Sequence, residues 1–133
     1  VHHIGNTNAD VSAETVHQWH LANGWAGIGY HFLIRKDGSI EQGRPMDTVG
    51  AHCYGENEHT VGVNIVGNFE DYMPEDAQVA SAKRLLVALC RNYGFAPSRS
   101  TIFGHRDFNA TACPGQNLYD MLPDIIRGAA AID

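Results

Sequence analysis

At 133 residues and 14.5 kDa, with 44% apolar and 18% charged residues, the chain has the profile of one globular domain able to bury its own core. Nine basic against fifteen acidic side chains give a net charge of −6, which argues against a partner that is nucleic acid or an anionic membrane. No apolar run reaches the length of a membrane span, the first residues do not read as a basic region followed by an apolar one, and the glycines and prolines are scattered rather than repeated.

Val1-His2-His3-Ile4 reads as the tail of a β-strand that would fray without residues before it, so residues 1–133 are expected to be one domain whose first strand is truncated. Ser12 caps a helix running to Ala22, with Asn23-Gly24 as its stop. Tyr30 to Ile34 and Ser39 to Gln42 form a hairpin around Asp37-Gly38, a pair that supplies positive φ angles for a tight turn. Thr60 to Val66, rich in β-branched residues, reads as a buried central strand. Pro74-Glu75-Asp76 starts a long helix whose apolar face runs Val79, Ala82, Leu86, Leu89, Cys90 and Tyr93 to a stop at Gly94. Thr101 to Phe103 is a short strand, residues 104–115 a loop, and Leu118, Met121, Leu122 and Ile125 mark a last helix that Pro123 kinks or restarts. The order predicts an α/β fold, a single domain with a mixed central sheet flanked by helices and a metal site at the strand ends.

Three cysteines cannot all pair within the molecule and are too few for a disulfide-built scaffold, and eight dispersed histidines point to metal chemistry. The loop leaving the last strand carries His105 and Cys113, eight residues apart, and an imidazole with a thiolate suits Zn²⁺. Two ligands do not hold a zinc. A third is available from His2 or His3, and because neighbouring strand residues face opposite ways only one of the two can serve. Each residue taken singly also has a plain reading, as a loop histidine, a small packing thiol and an incidental His pair.

Together, Val1-His2-His3, Gly29-Tyr30-His31-Phe32-Leu33-Ile34 with Asp37-Gly38, Gly50-Ala51-His52, Val61-Gly62-Val63 with Gly67-Asn68-Phe69, and Gly104-His105-Arg106-Asp107 through Thr111-Ala112-Cys113-Pro114-Gly115 resemble the zinc-dependent N-acetylmuramoyl-L-alanine amidases of the phage-lysin type and the peptidoglycan recognition proteins. The resemblance implies one Zn²⁺ on His2, His105 and Cys113, a catalytic Tyr30 assisted by Thr111, and substrate contacts from His52, Asn64 and Arg44. It further implies a bacterial peptidoglycan substrate, cleavage between N-acetylmuramic acid and L-alanine, and action on the cell wall as an endolysin or a secreted autolysin, with a monomer expected. Two rivals stand beside it, a peptidoglycan-binding module without catalysis and a zinc peptidase of other specificity. Asn64 stands where some bacterial relatives carry a glutamate base, and an amide cannot take a proton from water. Pro45-Met46 after Arg44 departs from the Gly-Trp of relatives that favour diaminopimelate, which leaves the stem preference open. Cys53 reads either as a second thiol near the metal or as a small residue under the cleft, Cys90 as core, and Asp107 as a brace of the metal loop. His17, His20, His31 and His59 carry no assigned chemistry.

Overall fold

The computed structural model describes residues 1–132. Four strands, β1 (His2–His3), β2 (Phe32–Ile34), β3 (Ile40–Gln42) and β4 (Val63–Ile65), form one sheet in the order β1-β4-β2-β3. β1 and β2 both run parallel to the central β4, and β3 is antiparallel to β2. Helix α1 (Ala13–Ala22) covers one face, and α2 (Asp76–Tyr93) and α3 (Gln116–Ala130) pack together on the other. The mixed sheet with helices on its faces is the predicted architecture.

Alternation along the strands feeds two cores. Ile34, Val63 and Ile65 meet Ala82, Leu86, Leu118 and Ile125 on the α2/α3 side, while Leu33 meets Val16 and Ile28 on the α1 side. Each such aliphatic side chain contributes about 1.5–3 kcal/mol when fully buried, so the larger cluster supplies most of the driving force.

The helix signals act as expected at α1, where Ser12 Oγ accepts from Thr15 N at 3.1 Å. α2 starts later than Pro74: Glu75 is its cap, in a reciprocal box with Gln78, and Gly94 closes it in the left-handed region at φ 77°. The hairpin connection is longer than a tight two-residue turn, because only Gly38 takes a positive φ (87°) and the loop closes through Arg35 N to Ser39 O at 2.8 Å. A Cβ on Gly38 would also sit 2.8 Å from the Ala77 carbonyl oxygen of α2.

Two expectations are corrected. Thr101 to Phe103 is not a strand: the amides of Thr101 and Ile102 turn back to Ser98 O, and only Phe103 O and His105 N are left to bond the backbone of Val1. Pro123 does not restart the last helix as a second element; it lies exposed inside a single α3, where the carbonyl it frees is not trapped in the core.

Gln78 was not among the expected core residues, yet it is wholly buried. Its Nε2 donates to Val66 O at 2.8 Å and Ile34 O at 3.3 Å, and its Oε1 accepts from Glu75 N at 3.0 Å, so one amide ties the first turn of α2 to the ends of β2 and β4. Gln78→Met keeps the volume and removes those bonds, and is expected to lower unfolding free energy by about 1–3 kcal/mol. A urea midpoint equal to wild type would show that the amide is not structural.

Candidate metal centre

β1 is two residues long, and its pairing decides which imidazole meets the cleft. His2 registers with Asn64 and Asn64 with Leu33, which puts all three on the α1 face of the sheet. His3 faces the other way, where its Nδ1 accepts from Phe69 N at 3.1 Å. The loop carrying His105 is drawn to β1 by Val1 N donating to Phe103 O at 2.7 Å and His105 N donating to Val1 O at 3.1 Å. Arg106 N then donates to Cys113 O at 2.9 Å, folding the loop back on itself.

The structure thereby brings His2, His105 and Cys113 together, with one donor atom from each lying within 4.8 Å of the others. His2 Nδ1 and Cys113 Sγ are 3.5 Å apart. Two donors sharing one tetrahedral zinc stand roughly 3.5 Å apart, given Zn–N and Zn–S bonds of about 2.0–2.3 Å. His105 Nε2 is 2.8 Å from Asn109 Oδ1, an acceptor, so that nitrogen carries the hydrogen and Nδ1 is the free ligand atom. His3 N donates to Cys113 Sγ at 3.4 Å, a contact that favours the thiolate. Two imidazoles and one thiol at this spacing fit a borderline-soft divalent ion.

Burial holds His2 well below the usual histidine range and lowers His105 as well, so both are neutral and ready to ligate at neutral pH. Burial pushes the Cys113 thiol up, with the His3 amide opposing. Burial also drives the Tyr30 phenol up to about 12, helped by Cys113, so this group is a hydrogen-bond donor rather than a base across the neutral range.

Tyr30 lies beside the cluster, its ring centroid 5.1 Å from that of His2. The other expected residues take varied positions. Asn64 is 0% exposed, beneath Tyr30, and neither of its amide atoms has a well-formed hydrogen bond among the described residues. Direct substrate contact, expected of it, does not suit a side chain sealed under the sheet surface. Arg44 spends Nε on Ile28 O at 2.7 Å and Nη1 on Val49 O at 2.6 Å, bracing the segment before Tyr30 rather than pointing wholly at the cleft. Thr111 is exposed on the rim and its hydroxyl accepts from Cys113 N at 3.2 Å. His52 Nδ1 lies 2.9 Å from His2 Nε2. A cavity of about 690 Å³ opens beside His2, His52 and His105, walled by Val61, Leu89 and Phe103.

Several supports gave no signal in the sequence beyond their spacing. Asn109, four residues after His105, accepts from His105 and from the buried Cys53 thiol at 3.4 Å, and its Nδ2 donates to Tyr54 O at 3.2 Å, lacing the 52–54 loop to the metal loop. His17 and His20 accept from Ile28 N and Gly29 N at 3.0 and 2.8 Å, pinning α1 to the approach to Tyr30. Asp107, read from the sequence as a brace of the metal loop, takes Gly104 N, Arg99 and the Tyr119 hydroxyl.

The family model described as N-acetylmuramoyl-L-alanine amidase matches residues 1–116. The chain belongs to that family. It is 37% identical over 125 residues to the endolysin of Klebsiella phage KP32, covering 87% of this chain and 79% of that protein. A peptidoglycan-recognition protein of Drosophila simulans is 34% identical over 128 residues, covering 90% of this chain and 68% of its own. Among solved structures, the amidase LysC from Clostridium intestinale superposes with a TM-score of 0.84 at 33% identity, covering 95% of this chain and 81% of that one. The amidase match spans all four strands and the loop with His105 and Cys113.

The protonation states of the amidase cluster set a pH dependence. The two imidazoles are already neutral at pH 7 and their lowered pKa values keep them so on mild acidification, whereas the raised Cys113 thiol must lose its proton to ligate. Zn²⁺ affinity is therefore expected to rise about tenfold per pH unit between pH 6.5 and 8, with one proton released per ion bound. Calorimetry in buffers of different ionisation enthalpy reads that number, and release of no proton would contradict the thiol assignment.

Proposed function

We infer that His2, His105 and Cys113 hold one Zn²⁺, and that with it the domain cleaves the amide between N-acetylmuramic acid and L-alanine of bacterial peptidoglycan, acting on the cell wall as a monomer. The observation that carries this is the N₂S cluster with Tyr30 at its edge, in a chain of the amidase family. Among the described residues no helix is long and apolar enough to cross a membrane. Zinc held by three protein ligands supplies a water of lowered pKa and a Lewis acid for the carbonyl.

The remaining work belongs to the side chains. Tyr30, kept protonated by its burial, donates a hydrogen bond to the oxygen that becomes negative as the amide carbon turns tetrahedral. Asn64 lies buried beside that phenol. Thr111 accepts from Cys113 N, which leaves its own hydroxyl proton to be turned toward the rim, where a muramyl peptide approaches. Asn109 holds His105 in the tautomer that ligates.

Tyr30→Phe is expected to lower kcat tens-fold or more, about 2–3 kcal/mol for one lost oxyanion donor, with KM and zinc content near wild type. Wild-type turnover on a soluble muropeptide would reduce Tyr30 to packing. Cys113→Ala should lose most of the metal by elemental analysis, and stoichiometric zinc in that variant would remove the ligand set. Digested cell wall should gain free L-alanine amines and no new reducing sugar ends; the reverse pattern would mark a glycosidase.

A further inference from the structure

We propose that His52 is a positioning residue for the metal centre: seated between two glycines, it takes the Nε2 hydrogen of His2 and so leaves the Nδ1 lone pair of His2 aimed at the ion. The inference rests on the metal-holding role given to His2 above, and it replaces the direct substrate contact expected of His52.

The direction of each hydrogen bond follows from the outer end of a chain of four groups. Thr60 Oγ1 is 2.6 Å from the carbonyl oxygen of Glu56, which can only accept, so the single hydroxyl proton is committed there. Thr60 Oγ1 is also 3.2 Å from His52 Nε2, and with its proton already used it must accept from that nitrogen. A neutral imidazole has one donor and one acceptor, so His52 Nδ1 carries the lone pair. That atom is 2.9 Å from His2 Nε2, which therefore donates, and His2 Nδ1 is left unprotonated 3.5 Å from Cys113 Sγ. The carbonyl of Glu56 thus settles, three groups away, which nitrogen of His2 faces the cluster.

The seat of the ring is built for it. A Cβ on Gly62 would stand 2.6 Å from His52 Cγ, and one on Gly50 would stand 2.6 Å from His52 Cδ2. Neither glycine has a positive φ, so what each provides is space against the imidazole rather than an unusual backbone. The backbone beneath is fixed as well: Asn57 Oδ1 accepts from His52 N at 3.0 Å and from Cys53 N at 2.9 Å. A ring so held orients its partner and does not swing out to a substrate.

The test uses long-range proton–nitrogen NMR of the histidine rings before zinc is added, together with Zn²⁺ titrations. Wild type is expected to show His2 as the Nε2–H tautomer. His52→Leu should mix the two tautomers and weaken Zn²⁺ binding about 10- to 100-fold. His52→Asn places an amide oxygen near the lost Nδ1 and should restore the tautomer and bring affinity to within a few-fold of wild type. Thr60→Val removes the anchor of the chain without touching either imidazole and should shift affinity in the same direction, less far; it carries the test if His52→Leu does not fold. A wild-type His2 protonated at Nδ1 overturns the proposal, as does His52→Leu with unchanged tautomer and affinity. Wild-type protein that shows the Nε2–H tautomer but binds no Zn²⁺ would overturn the metal assignment instead.

Discussion

Everything at the centre depends on the register of a two-residue strand. β1 pairs with β4 so that His2 sits opposite Asn64, and a slip of one residue would replace His2 with His3 on the cleft face. Two residues of ladder are too few to fix this alone. The register is held at both ends: by Val1 bonding Phe103 and His105 on one side, and by Ile4 N and Gly5 N donating to Gly67 O at 3.1 and 3.0 Å on the other. His3 adds a third anchor, since its Nδ1 takes the amide of Phe69 in the far core. The second imidazole of the pair is thus a structural group that holds the first in place.

The same economy governs the loops. Residues 43–62 and 104–115 have almost no ladder to join, so side chains supplement the backbone bonds at several of their amides. Asn57 takes two consecutive amides, His31 takes Gly62 N at 3.0 Å, and Asn109 ties the two loops to each other. Asn57 and Asn109 are uncharged amides. A cleft braced this way keeps its shape without buried carboxylates next to the cluster, where they would compete for a cation.

Legibility from the sequence follows how local each cause is. The cap at Ser12, the stop at Gly94 and the hairpin around Gly38 depend on residues within a few positions, and they were readable. Alternation along β1 allows only one of the His pair to face the cluster, and that one is His2. Thr101 to Phe103 looked like a strand because Thr, Ile and Phe favour one, but Ser98 captures two of its amides and leaves no ladder. Asn64 is expected to touch substrate from its position in a family motif; it is instead 0% exposed in the central strand, between His2 of β1 and Leu33 of β2, an enclosure that no local pattern reports. Asn109 and Thr60 were invisible for the same reason: their partners lie in other segments or point back to the main chain.

Charge explains why a phenol and an amide, and among the described residues no carboxylate, stand against the cluster. Two neutral imidazoles and one thiolate leave a bound divalent ion with a net charge of +1. A carboxylate in place of Asn64, buried under Tyr30, would cancel most of that charge at close range and would itself be costly to bury ionised. The neutral amide would leave the positive field of a bound ion intact over the edge of the cluster where Tyr30 stands. A bound divalent ion would lower the cost of polarising the Tyr30 O–H bond, so a phenol that burial and Cys113 together raise to about 12 would become a stronger donor while remaining protonated. A carboxylate there would add a base but weaken both the electrophile and the donor, and the side chains of this chain favour the electrophile.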